Sequence, residues 1–265
     1  MKKFFYLFAV LALVSLSACN ESDEPTNIQT ATMVINSRAI DGDDMVFSQG
    51  SSKVELDYTN MFIKFTADYR DINGQSHTIT TPDMKLYIMN SSIYKFDNIA
   101  SNEYTGIEQL TGYIDFATGM MWYSFKDASS KVVSSSQFLY AYTTTTVTNP
   151  DNGYHFSHEQ SAYLFALDAR GETCTMKISN FIPNINGSVQ ASEIQYKDLT
   201  VTPTTTGYII TADEVESSYK GFFSITDLNI ILNNQCMVIG GSFKSNDLEF
   251  SINGSLFPDT GTPVL

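Results

Sequence analysis

The sequence predicts an all-β protein built from two antiparallel β modules of similar size, each a barrel or a sandwich, and three observations carry that expectation. The first is alternation: Val54, Leu56 and Tyr58 alternate with Lys53, Glu55 and Asp57, and Met61, Ile63, Phe65, Ala67 and Tyr69 alternate with largely polar neighbours. Near the other end, Leu248, Phe250, Ile252 and Leu256 alternate with Asp247, Glu249, Ser251, Asn253 and Ser255. A period of two puts one face of a strand on a core and the other in water. The second is punctuation, since Asn73-Gly74, Asn152-Gly153, Asn186-Gly187 and Asn253-Gly254 supply the positive-φ residues that tight turns need. The third is composition: 15 Tyr and 18 Phe against a single Trp suit half-buried pleated surfaces. No apolar run at helical spacing follows Val14, and only the stretch from Ala212 to Gly221 has room for a turn or two of helix.

Taken in order, the chain opens with Lys2 and Lys3, an apolar run from Phe4 to Val14, and then Leu16, Ser17 and Ala18 before Cys19. The run is too short to stay in a bilayer, and its layout describes a secretory signal peptide over residues 1–18. The Leu-Ser-Ala-Cys ending resembles the lipobox of bacterial lipoproteins, which implies cleavage before Cys19 and acylation of its thiol and new amino group. Residues 19–31 follow as an acidic tether. Within it Glu21, Ser22, Asp23 and Glu24 resemble the surface-export signal of Bacteroidetes lipoproteins, while Pro25 and the like charges also make a solvated leash. The resemblance implies a chain held in the outer membrane by a covalent lipid on Cys19 and facing the exterior.

Loss of Lys2 and Lys3 with the signal peptide takes the formal charge from -14 to -16. An acidic surface repels phosphate backbones and anionic headgroups, so nucleic acid and a membrane-lying basic helix are excluded as expectations. Partners should be neutral or cationic ligands, or a surface protein. The Thr-rich segment from Thr143 to Asn152 reads as poor in large apolar residues and closes with the turn-formers Pro150 and Gly153, which marks it as a boundary. The first module then spans residues 32–147 and the second 148–265, ending in a short tail. The two halves also look duplicated. Ile72-Asn73-Gly74 recurs as Ile185-Asn186-Gly187, and the strand from Met61 aligns with one from Cys174. Ile107, Leu110, Met120 and Phe125 fall at the spacing of Ile225, Leu228, Val238 and Phe243.

In the second half, the run from Ala162 to Asp168 leads to Cys174-Thr175-Met176-Lys177-Ile178-Ser179-Asn180-Phe181. Lys197-Asp198-Leu199-Thr200-Val201-Thr202, Gly207-Tyr208 and Phe250-Ser251-Ile252-Asn253-Gly254 follow. This order resembles the calycin-like β-barrel modules of Bacteroidetes lipoproteins over residues 154–257, with the first half a more divergent copy. The resemblance implies a fold class and a cell-surface setting; it lends no activity. True lipocalins carry a Gly-x-Trp near the start of the barrel, whereas Trp122 here follows Met120-Met121.

With Cys19 assigned to lipid, Cys174 and Cys236 remain, both in phase with apolar strand residues. Export permits a disulfide between them, and two buried small hydrophobes is the other reading. His155 and His158 flank Phe156-Ser157, but a His-x-x-His pair on a strand points to opposite faces, so no metal site is expected. His77 reads as a strand-edge polar residue, and Asp41-Gly42-Asp43-Asp44 as a solvated turn without the spacing of a calcium loop. There is no Gly-x-Ser-x-Gly elbow and no Ser/His/Asp order, so no enzyme and no cofactor beyond the lipid are expected.

Two classes of function fit, and a third, a hydrolase, is disfavoured for want of a motif. One is a non-catalytic surface binding module for a glycan, a peptide or a small apolar ligand, with Trp122 and Tyr123 as candidate contact aromatics. The other is a structural component of a cell-surface assembly. An exposed aromatic strip points to glycan, an enclosed cavity to an apolar ligand, and filled barrels with bare edges to assembly.

Overall fold

The computed structural model describes residues 28–89, 92–98, 107–116, 119–136, 139–179, 193–218, 223–233 and 238–255, and every regular element among them is a strand. The first module contains β1 (Ile28–Asp41), β2 (Asp44–Asp57), β3 (Phe62–Arg70), β4 (Ser76–Thr80), β5 (Met84–Lys85), β6 (Tyr87–Ile88), β7 (Ile93–Asn98), β8 (Glu108–Asp115), β9 (Met120–Lys126) and β10 (Val132–Ser136). They pair antiparallel in the order β4-β3-β2-β1-β10-β9-β8-β7-β6, a half-barrel sheet, with β5 on β3. One stretch of chain joins its ends: Met84 and Lys85 face Ile63 and Phe62 of β3, and just beyond them Tyr87 and Ile88 face Lys95 and Tyr94 of β7. Pro82 explains the break before β5, since it has no N–H for a ladder. Thr81 bridges the gap: its Oγ1 accepts from Phe65 N at 2.9 Å and its N donates to Phe65 O at 2.9 Å. Alternation sends Ile35, Val54, Ile63, Phe65, Phe96 and Phe125 into one shared core.

The second module is a closed barrel of β11 (Leu139–Asn149), β12 (Tyr154–Leu167), β13 (Thr173–Ser179), β14 (Glu193–Pro203), β15 (Tyr208–Val215), β16 (Ile225–Asn233), β17 (Val238–Ser245) and β18 (Leu248–Ser255), with β18 pairing back to β11. Its lumen is packed with side chains. Tyr163, Phe165, Tyr196, Tyr208, Phe243 and Phe250 are all fully buried. Phe243 stacks on Phe250 with ring centroids 4.6 Å apart, and Phe223 meets Phe250 edge-on at 5.4 Å. The buried phenols have partners, as they must: Tyr196 donates to the Phe223 carbonyl at 2.8 Å, and the Tyr163 and Thr145 hydroxyls lie 3.1 Å apart. Burial pushes both phenols above their ordinary pKa.

Several boundaries differ from the sequence expectation. The Thr-rich segment is no linker: it is β11, the strand that closes the barrel, with Thr143, Thr145 and Val147 buried. Threonine is β-branched and suits a strand, and its hydroxyl can stay bonded in a lumen, which the absence of large apolar groups concealed. The second module therefore begins at Leu139 rather than at 148, and the first begins with β1 at Ile28, inside the expected tether. The stretch from Ala212 is strand through Val215, not helix. Gly74 and Gly153 do take positive φ, 78° and 72°, in turns, whereas Asn253-Gly254 lies within β18 and Asn186-Gly187 lies outside the described residues.

Strand rank agrees with the internal repeat. If β4 to β6 count as one kinked strand, β3 and β13 are both third in their modules, β8 and β16 both sixth, and β9 and β17 both seventh. The aligned residues fall on or beside these strands. Both sixth strands also carry a register shift at a positive-φ residue, Gln109 (φ 54°) and Asp227 (φ 52°). A bulge is a built feature, so its recurrence at the aligned position is stronger than matched alternation alone.

The outer wall of the first module receives one end of the barrel. Arg38 Nη1 donates to the carbonyls of Thr204 at 2.8 Å and Gly207 at 3.2 Å, Nη2 reaches Ser134 Oγ at 3.2 Å, and the guanidinium lies 4.9 Å from the Tyr208 ring centre. Gln49 Nε2 donates to the Asp168 carbonyl at 3.3 Å. Phe47 meets Tyr208 edge-on at 6.4 Å and covers Gly171, where a Cβ would stand 2.7 Å from the ring. With φ of +70°, Gly171 suits that close approach on both counts.

Candidate functional site

Neither aromatic expected at a binding surface is exposed. Trp122 is 3% and Tyr123 1% exposed. Tyr123 points into the first core, 4.7 Å from Phe65, and burial raises its phenol pKa. Trp122, on the opposite face of β9, stacks with Tyr113 at 5.8 Å and belongs to the core cluster of the second module. The unbroken run Met120-Met121-Trp122-Tyr123 was the available signal, because strands covered on both faces lose their alternation.

Cys174 is a buried free thiol whose pKa burial, with Asp168 adding to it, pushes up to about 12. Cys236 lies outside the described residues, as do Cys19, Glu21, Ser22, Asp23 and Glu24. His155 is exposed opposite Thr148, while His158 is half-buried opposite Thr145 with Nδ1 3.1 Å from Ser161 Oγ, so the pair does split between faces. His77 sits on β4 at the end of the sheet, stacked on Tyr69 at 5.3 Å and 3.0 Å from Asp71. Gly42 and Asp43 form the tight turn between β1 and β2. No group of three or more His, Cys, Asp or Glu among the described residues is placed to hold a metal ion.

One concave feature of the barrel among the described residues is on its outer wall, a groove of about 320 Å³. Its geometry follows from register. Ser157, Thr146, Ser251, Ser242 and Asn229 fall in one cross-strand row over β12, β11, β18, β17 and β16. His155, Thr148, Glu249 and Lys244 form the next row. The register shift between Thr226 and Asn229 sets Asp227 out of the ladder, and its carboxylate accepts from Lys244 Nζ at 3.0 Å. That bond holds the ammonium pKa above its ordinary value. The short side chains of the first row leave the depression, and Phe243 and Phe250 close its floor from inside. Such a surface offers hydroxyls that donate and accept, two carboxylates and one ammonium. None of this was legible in sequence, because the rows join residues up to about a hundred positions apart.

No protein-family model matches the chain, and no curated protein matches it. Among solved structures it is similar to the isotype 1 transferrin binding protein B from serogroup B Neisseria meningitidis, at 11% identity and a TM-score of 0.27. That match covers 87% of this chain and 75% of the other. A likeness of that size carries no argument, so the all-β, two-module architecture stands on its own strand pairing.

Proposed function

We propose that the chain is an outer-membrane lipoprotein displayed at the cell exterior, where it acts as a non-catalytic binding module for a neutral, hydroxyl-rich ligand of the glycan class. Trp122 and Tyr123 supply no exposed aromatic strip and the filled barrel also fits an assembly component, so the ligand assignment rests on a different observation: the outer wall of the aromatic-packed barrel carries the hydroxyl-lined groove. Among the described residues, the packed lumen argues against a small apolar ligand inside the barrel. The groove volume lies at the lower end of ordinary ligand sites. Its mixed charges suit a ligand with many hydroxyls and no net charge, in keeping with an acidic protein.

Isothermal titration against a panel of neutral and charged oligosaccharides tests this. A neutral member should bind with a Kd of about 10 μM to 1 mM, as expected of a shallow polar site. Ser251→Trp, which fills the depression from an exposed position, should abolish binding and leave the melting temperature unchanged. Equal binding by that variant, or no binding by any neutral member, would refute the assignment.

The address rests on Leu16 to Glu24 and is tested separately. Cys19→Ala should leave an unprocessed precursor that takes up no palmitate analogue, whereas the wild type should be labelled and held in the outer membrane. Two or three acyl chains make anchoring durable at about 0.8 kcal/mol per buried methylene. An unlabelled wild type would defeat the lipobox reading.

A further inference from the structure

β1 has a long bare edge. Asn36 to Ile40 pair with β10, which ends at Ser136, and from Ile28 to Ile35 the strand has β2 as its one partner among the described residues. The β1–β2 hairpin closes on Asp41 and Asp44 around a two-residue turn. A closing pair of that kind exchanges main-chain bonds, so odd-numbered residues of β1 bond to β2 and even-numbered residues turn their N–H and C=O away. Asn36, Arg38 and Ile40 spend theirs on Ser136, Ser134 and Val132. Ile28, Thr30, Thr32 and Val34 present theirs at the bare edge.

Natural proteins blunt such edges with charge, proline, bulges or shortness. The segment Ile28-Gln29-Thr30-Ala31-Thr32-Met33-Val34 has no charge, proline or glycine, and its register with β2 is unbroken. Two large apolar side chains also stand out on its outer face: Ile28 is 49% and Val34 53% exposed. They lie three residues either side of Ala31.

We infer that this edge pairs with the β1 of a second copy of the chain, antiparallel and centred on Ala31. In that register Ile28 of each copy faces Val34 of the other and Thr30 faces Thr32. The even-numbered residues, whose main-chain groups are free, all meet one another. Each exposed apolar side chain gains an apolar cross-strand neighbour, and the threonine hydroxyls come within reach of each other. Because β1 has one bare edge, pairing about a two-fold axis uses it up and closes the assembly at two copies. The inference is independent of the ligand assigned to the groove and of the lipid anchor.

Sedimentation equilibrium of the chain from Asn20 to Leu265, which keeps every described residue, provides the test. Seven residues per copy make a small interface, so dimer should appear gradually between about 1 and 200 μM. Val34→Lys and Thr32→Pro should each weaken association at least about tenfold with unchanged melting, since one puts a charge at the edge and the other removes an outward N–H. In a Cys236→Ser background, Ile28→Cys combined with Val34→Cys should oxidise to a covalent dimer. Val34→Cys alone should not, because the two Val34 positions would stand about 20 Å apart. A wild type that stays monomeric at the highest concentration overturns the pairing, as does a dimer untouched by both edge variants. Cross-linking of the single-cysteine variant as fast as the double one overturns the register.

Discussion

Replacing Arg38 by Met should lower the stability of the whole protein by about 2–4 kcal/mol, the range for removing a buried charged donor from several partners. Arg38 is buried on the outer face of β1 and ties the first module to the end of the barrel through the Thr204 and Gly207 carbonyls. Methionine keeps comparable length and apolar contact with Tyr208 but donates nothing, so the loss reports on the guanidinium. For a chain of this size the change corresponds to a fall in melting temperature of about 4–16 °C. Arg38→Lys should fall between, because a single ammonium cannot reproduce the planar fork that serves both carbonyls and Ser134 at once. Calorimetry should show one transition in the wild type and two in the Met variant, as the modules lose their main polar tie. Loss of less than about 0.5 kcal/mol, the usual scatter of a surface substitution, would show that the junction is held by Phe47, Gln49 and Trp122 instead.

What the sequence made legible was whatever a single strand expresses locally. The alternation from Met61 to Tyr69 located β3, and Ile63, Phe65, Ala67 and Tyr69 do face the core. Asn73-Gly74 and Asn152-Gly153 marked real turns, and the repeat paired strands of equal rank. The misses share a cause. Trp122 and Tyr123 both stand as candidate contact aromatics in the sequence, yet both are buried, because β9 is covered on both sides, by its own core and by the second module. Arg38 carries no pattern that separates it from a solvated arginine; its burial comes from the β14–β15 turn, more than 160 residues away, and from Ser134 on β10. The groove on the wall depends on which of its neighbours Ser251 meets, and register between strands is set by turns and bulges such as that at Asp227. Burial by a neighbouring module and lateral pairing are both non-local, and periodicity contains neither.

The role of β11 leads to the second large effect. A fragment covering residues 154–255 should be unfolded, whereas one covering 137–255 should give a β-type circular dichroism spectrum and a cooperative melt. The shorter fragment keeps seven of eight barrel strands yet loses the one that pairs with both β12 and β18. Without β11 the barrel has two bare edges, Val147 is gone from the lumen, and Tyr163 loses the Thr145 hydroxyl that satisfies its buried phenol. A domain of this size has a net stability of about 5–15 kcal/mol. Losing the pairing and burial of an eleven-residue strand on both sides exceeds that margin. Even the longer fragment should melt below the intact protein, because Tyr208 and the Thr204 and Gly207 carbonyls lose the cover of Arg38 and Phe47. Cooperative folding of residues 154–255 alone would mean that β12 and β18 can close on each other, and the strand that reads as a linker would then be dispensable to the barrel.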